Sequence, residues 1–328
     1  MEKIVLKEDF DLIETYNQLL ESRGVIDGID GIVLTIINYI NNVLSSSDLK
    51  EKYFKKYDVK EDVDEYRFTV PVELFDNVDT LFMRKPIFNI SLFVMRNNFG
   101  DTERQLSETN YLEEYYPKLV NDGGKYYLSE PIFNLSYIVT NDEKIDFFVV
   151  ADKVSHELVH AKRNFYEFIR VSKQRKESFK YNSKTMELLD SNKKDEIKYF
   201  IGRILYLCST DEINARCNQL YYELKNFSIL TRNNINKLVK KTNVYRFIDE
   251  IYEKFETIER IKLKGNHCQY DYIWNVLKTV YNEKNLKNDP YEFLENLLIV
   301  RKNYFIRQID KVKERVLYEK TTEPIIMR

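Results

Sequence analysis

Histidine, cysteine, glycine and proline are all scarce in this chain. Its three cysteines, at 208, 217 and 268, are too few and too irregular for a disulfide framework, and no two have zinc-ribbon spacing. Eight glycines and six prolines leave no linker rich enough in either to force a domain cut, and no solenoid repeat is visible. An excess of one charge is missing too. Lys and Arg number 51 against 53 Asp and Glu, a net charge of −2, and the pI is ≈ 6.1. No global basic field exists to hold nucleic acid or an anionic membrane. Long hydrophobic runs are also absent. The longest near-apolar stretch, Gly31 to Leu44, contains three asparagines and is too short to span a bilayer. The first eight residues turn acidic too soon for a secretory signal, so the expected location is a reducing cytosol. A virion particle assembled there fits equally.

What is present argues for a folded protein. Hydrophobic residues make up 43% and aromatics 14%, enough for a sizeable core and too many for disorder. A length of 328 residues sets a prior of two domains at ~150 residues each. Heavy use of Lys, Asn, Ile and Tyr reads as an AT-rich genome, that of a phage or a low-GC bacterium, and says nothing about chemistry.

The hydrophobic pattern changes twice along the chain. Up to about residue 60 it has helical spacing: Leu12, Ile13, Tyr16, Leu19 and Leu20 with Gly24 as a stop, then Ile32 to Leu44, then a short helix capped at Ser45–Asp48. From Tyr66 to Val139 it alternates, as in strands, with a turn at Asp122-Gly123-Gly124. Within that region residues 86–94 (PIFNISLFV) closely match residues 131–139 (PIFNLSYIV). Each copy has one apolar face and one half-polar face at a period of two. They are expected to be two similar sheet strands; a duplicated substrate-binding edge strand is the sharper alternative. Beyond Asn141 the chain reads as helical. A long helix capped by Asn141 or Asp142 runs to about Arg175, and another runs from Asp195 to about Phe227 with a break at Ser209-Thr210. Further helices follow at 231–240, 244–262, 270–283 and 290–318.

Only three histidines occur, at 156, 160 and 267, and two of them fall in His156-Glu157-Leu158-Val159-His160. At 100° per residue, positions 156 and 160 differ by ~40° around a helix and by ~6 Å along it. Both imidazoles therefore leave one face and can each place a nitrogen ~2.0–2.1 Å from a single zinc ion. Glu157 lies ~80° to the side, poorly placed as a ligand and well placed as a general base toward a metal-activated water.

This H-E-x-x-H helix, with Val154 ahead and Ala161 behind, resembles the active-site helix of the zincin metallopeptidases. Zincins place a sheet before that helix, and the expected strands at 81–96 and 125–140 stand in that position. Lys162 departs mildly from the apolar residue preferred after the motif. Arg163 and Tyr166 stand where the metzincin extension needs Gly and His, which excludes that subclass. Glu212-Ile213-Asn214-Ala215 is similar to the E-x-x-A pattern of glutamate-type zincins, which makes Glu212 the expected third ligand. An independent geometric point agrees: if the two long helices pack antiparallel, both arms are ~22 Å long and bring His160 level with Glu212. Asp211 and other acids remain alternatives, as does a Glu212 that is a surface acid paired with Arg216. Some families of this type carry an acid four residues after the ligand Glu. Here that residue is Arg216, a donor only, so an acceptor for the imidazole N–H groups must come from elsewhere, with Asp211 and Asp152 as candidates.

The bland readings of the remaining features differ. His267, in a turn-like stretch, is read as an ordinary loop histidine rather than an oxyanion stabiliser. Cys208 and Cys217 are read as small apolar residues of a packed helix. The basic run from Lys162 to Lys180 is read as a solvated face.

The expected fold is α+β: mostly helical, with a small antiparallel-edged sheet before the active-site helix. The expected parts are an N-terminal helical part at 1–64, a zincin-like core at 65–228 and a C-terminal helical part at 229–328. The expected function is zinc-dependent hydrolysis of peptide bonds, with Zn2+ held by His156, His160 and Glu212, and Glu157 as general base. A protein or peptide substrate is the expected partner; neither membrane nor nucleic acid is expected. A His/His/Glu site also accepts manganese, cobalt or nickel. The competing reading is a non-catalytic structural or interaction protein, such as a phage virion component, on a zincin-like fold.

Overall fold

The computed structural model describes residues 29–55, 63–72, 83–95, 108–111, 118–122, 125–140, 145–169, 184–193, 195–263, 270–281 and 289–322. The expectations on residues 1–28, on Asn141 and Asp142, on 170–183 and on His267 and Cys268 lie outside them. The fold is α+β, with two compact units, Met1–Ile169 and Arg170–Arg328. Their boundary falls inside the stretch 65–228 read from the sequence as one core.

The described part of the first unit opens with α1 (Ile29–Ser45), which buries Ile29, Ile32, Val33, Ile36, Ile37, Ile40 and Val43 at helical spacing. Ser46 then caps α2 (Ser47–Tyr53) by accepting a hydrogen bond from the Leu49 N–H at 3.3 Å, as the serine-rich break implied. Strands follow: β1 (Phe54–Lys55), β2 (Val63–Pro71), β3 (Met83–Arg84), β4 (Ile87–Met95), β5 (Glu108–Tyr111), β6 (Lys118–Asp122), β7 (Lys125–Ser129) and β8 (Ile132–Thr140). The larger sheet has the order β1-β2-β4-β8-β5, and β3-β7-β6 form a smaller one. The β4–β8 pair is parallel, while β2 pairs β4 and β5 pairs β8 antiparallel. The sheet is therefore mixed at its centre and antiparallel at its edges.

The two similar segments are neighbours. Ile87 lies opposite Ile132, Phe88 opposite Phe133, Asn89 opposite Asn134 and Ser91 opposite Ser136. They are central strands, so the reading of a duplicated edge strand is corrected: β1 and β5 hold the edges. Like residues meet like. Phe88 stacks on Phe133 with centroids 4.9 Å apart, and Asn89 Nδ2–H donates to Asn134 Oδ1 at 3.1 Å. The Thr69 hydroxyl donates to Asn89 Oδ1 at 3.2 Å, which extends the polar row onto β2. The opposite face is core: Phe68, Val70, Phe88, Ile90, Leu92, Phe133, Leu135 and Val139 are buried, and Tyr39 of α1 stacks on Phe68. Both β4 and β8 are entered through a residue of positive φ before a proline, Lys85 at 51° and Glu130 at 58°. Strands β6 and β7 pair antiparallel with Asp122 opposite Lys125; the turn expected at Gly123-Gly124 lies outside the described residues.

The helix α3 (Phe147–Ile169) ends the first unit. Its cap is Asp146, whose Oδ1 accepts from the N–H groups of Phe148 at 2.7 Å and Val149 at 3.4 Å. The helix therefore starts later than a cap at Asn141 or Asp142 requires, because β8 runs through Thr140.

Among its described residues the second unit holds helices and turns and no strand. A helical stretch at 184–189 runs into a 3-10 turn at Asp190–Lys193. Then come α4 (Glu196–Leu207), α5 (Thr210–Asn226), α6 (Ile235–Val239), α7 (Asn243–Leu263), α8 (Tyr270–Val280) and α9 (Pro290–Thr322). Asp195 caps α4 and Ser209 marks the break before α5, as expected. The helix expected at 231–240 shrinks to α6. Asn234 accepts from the Thr231 N–H at 2.8 Å and donates to the Ile229 carbonyl at 3.2 Å, which holds the preceding residues in a turn. Leu294, Leu298, Phe305 and Val316 of α9 are fully buried, and Phe247 of α7 meets Phe305 edge-on at 5.5 Å. Among the described residues no helix is long and apolar enough to cross a membrane.

Candidate metal centre

The H-E-x-x-H residues all stand on α3. That helix buries Val150, Ala151, Val154, Leu158 and Ala161, each at most 1% exposed. At 100° per residue these five form one stripe, and His156 and His160 leave the roughly opposite face. The two rings lie 5.0 Å apart, and their Nε2 atoms approach to 3.3 Å. Two donors ~2.0–2.1 Å from one ion at a tetrahedral angle are separated by ~3.3–3.4 Å. The imidazole pair thus already has the spacing of two corners of a zinc tetrahedron. Two neutral imidazoles that turn lone pairs toward each other repel; a proton or a cation between them removes the repulsion. Glu157 is 9% exposed, with Oε1 4.0 Å from His156 Nε2, beside the pair as the helix geometry requires. Asp152, one turn ahead of His156, is buried as well.

Glu212 belongs to the second unit. It stands in the first turn of α5, where the helix dipole favours a negative charge, and is only 2% exposed. Arg216, one turn on, donates from Nε to Glu212 Oε1 at 2.7 Å. The expected i, i+4 pair therefore exists, but its carboxylate is not on the surface, so the surface-acid reading is corrected. Arg216 also donates to Gln219 Oε1 at 3.0 Å and to the Tyr206 hydroxyl at 3.5 Å, and its guanidinium carbon lies 5.4 Å from the Phe247 ring centre. Burial and the neighbouring Glu212 charge push the Tyr206 pKa well up, so that phenol stays protonated. Ala215, the small residue of the E-x-x-A pattern, is fully buried. Asp211, the alternative acid, is half-buried.

Tyr206 and Gln219 escaped the sequence reading. Nothing in their local pattern separates them from other residues of packed helices; they matter because Arg216 reaches both. Cys208 and Cys217 are buried thiols, as expected. Burial pushes the Cys208 pKa up to about 12 and raises that of Cys217 further, so both thiols favour the protonated form.

The donor set fits a borderline divalent ion. Two imidazole nitrogens at tetrahedral spacing suit zinc, and manganese, cobalt and nickel share that chemistry. No family model, no curated protein and no solved structure matches this chain.

Proposed function

We propose that this protein is a zinc-dependent peptidase. His156 and His160 hold the ion, Glu212 is the third ligand and Glu157 is the general base. The observation that carries this reading is the 3.3 Å separation of the two Nε2 atoms on an H-E-x-x-H helix. When bound, zinc supplies Lewis acidity that polarises the scissile carbonyl and acidifies the attacking water. Glu157 takes the proton of that water on a carboxylate oxygen as the new C–O bond forms. It then returns the proton to the amine nitrogen as the C–N bond breaks. Its position beside the imidazoles, not between them, suits a base better than a ligand. Glu212 fits the third role through its E-x-x-A context.

The test is metal content by elemental mass spectrometry on the wild type and on a His156→Ala/His160→Ala variant. About one zinc per chain is expected in the first and none in the second. Absence of metal from both after zinc is added back overturns the reading. Zinc in the wild type without cleavage of any peptide library favours the non-catalytic alternative.

A further inference from the structure

The two edges of the larger sheet are guarded unequally. At one edge β5 packs against α3. At the other, β1 covers β2 only where Phe54 lies opposite Tyr66 and Lys55 opposite Glu65. Among the described residues no strand pairs with residues 67–71 on that side. Two hydrogen bonds fix the direction of the backbone there. The Val72 N–H donates to the Pro86 carbonyl at 3.0 Å, so Val72 and, by alternation, Val70 and Phe68 turn their polar groups toward β4. The Ile87 N–H donates to the Pro131 carbonyl at 2.8 Å, which turns Ile87 toward β8 and away from Pro71 opposite it. Both bonds put the N–H and C=O of Arg67 and Thr69, with the Pro71 carbonyl, on the outer edge. These groups line ~17 Å of open strand. Arg67, Thr69 and Pro71 are exposed, the Arg67 side chain at 61%.

We propose that residues 67–71 of β2 receive an acidic, extended segment of a partner protein as an added strand, antiparallel to β2 and in line with β1. Main-chain hydrogen bonds supply the affinity, and side chains on the two faces set its chemistry. On one face Arg67 neighbours Glu65, which is buried and accepts from the Arg67 Nε–H at 2.7 Å, and exposed Lys55 lies opposite Glu65. Two cations against one carboxylate leave these groups net positive, so an acid opposite Arg67 is favoured. On the other face Phe54 is 45% exposed, edge-on to Tyr66 at 6.0 Å. A guest residue opposite Phe68 comes to lie beside Phe54, and an apolar one covers it. A second copy of the chain does not fit. Two-fold pairing of β2 centred on Phe68 drives Pro71 of each copy into the place that Lys55 of the other holds opposite Glu65. The edge is also separate from the proposed metal centre, since β4 and β8 lie between it and β5.

The experiment selects a random peptide library on the full chain and measures the enriched peptides by fluorescence anisotropy. They are expected to alternate, with an acid among apolar residues. Thr69→Pro removes an outward N–H and leaves the ladder to β4 whole. It is expected to weaken binding about tenfold, as loss of one hydrogen bond does. Thr69→Val keeps that N–H and is expected to stay within about twofold. Arg67→Glu turns attraction into repulsion and is expected to cost about 10–100-fold. Amide exchange by NMR gives a second readout: in the free protein Arg67 and Thr69 exchange fast and Phe68 and Val70 slowly, and bound peptide slows the first pair. Enrichment of no peptide overturns the proposal, as do peptides whose affinity survives either Thr69→Pro or Arg67→Glu. Should Thr69→Pro fail to fold, Arg67→Glu and amide exchange decide, and Arg67 and Thr69 amides left unslowed by peptide overturn it. A dimer in sedimentation that Thr69→Pro dissociates makes the occupant a second copy and overturns the assignment to a partner.

Discussion

Glu157 shares its helix with two histidines, and the proposed mechanism gives it a different task on the ground of angle. Residues 156 and 160 share a face, and residue 157 stands ~80° away. The carboxylate is 9% exposed, a sheltered setting that suits the base proposed. Glu157→Gln keeps size and hydrogen bonding but cannot hold the proton. It is expected to retain one zinc per chain and to lose about 10²–10⁴-fold in kcat, the usual worth of a general base. Metal analysis beside peptide-library cleavage checks both halves; unchanged turnover removes Glu157 from the mechanism. The residues of this group were legible in the sequence because helical spacing is a local property. The environment of Arg216 was not. Its partners Tyr206, Gln219 and Phe247 lie 10, 3 and 31 positions away, and only folding brings them to one guanidinium.

At the scale of elements, period and punctuation carried the reading furthest. The apolar stripe of α1, the cap at Ser46 and the break at Ser209 are set by residues close in sequence. The start of α3 is different. Asp146 is one of several residues able to cap it, and the choice falls to where β8 ends. The adjacency of β4 and β8 was equally hidden: a parallel pair needs a long crossover, and β5, β6 and β7 all lie between the two strands in sequence. One close approach in the second unit makes a sharp test. A Cβ on Gly202 in α4 would stand 2.8 Å from Leu188 Cβ and 3.0 Å from the backbone of Leu188 and Leu189. In an exposed helix Gly→Ala stabilises by up to ~1 kcal/mol. Here overpacking outweighs that gain, and Gly202→Ala is expected to destabilise by about 1–3 kcal/mol. Urea unfolding checks the sign; a gain in stability would show that the 184–189 stretch gives way without cost.

At the scale of the whole molecule each unit carries a core of its own, so each has its own sensitivity to conditions. In the second unit Glu319, near the end of α9, accepts hydrogen bonds from Tyr221 and Arg315 and pairs with Lys225. Burial works to raise its pKa, but those bonds and charges outweigh it and hold the carboxyl below its ordinary value. A lowered folded-state pKa means stability fully present above the unfolded glutamate value of ~4.3 and lost as pH falls through the folded one. Glu319→Gln is expected to melt lower than wild type at pH 7, with the gap closing below about pH 4; a gap that stays constant through acid would sink this account. In the first unit the stacked pair β4–β8 has another consequence. Phe on Phe, Asn on Asn and Ser on Ser, parallel and in register, is the arrangement that fibrils propagate without limit. Here it stops at two rungs, because β2 and β5 lie antiparallel on its flanks with different sequences. On the β8 side the barrier among the described residues is four residues long, Glu108–Tyr111. Thr109, which faces Leu135, is the residue where a proline would lift that barrier. Thr109→Pro is expected to bind thioflavin T on standing where the wild type does not. Those four residues are then what keeps one chain from templating the next.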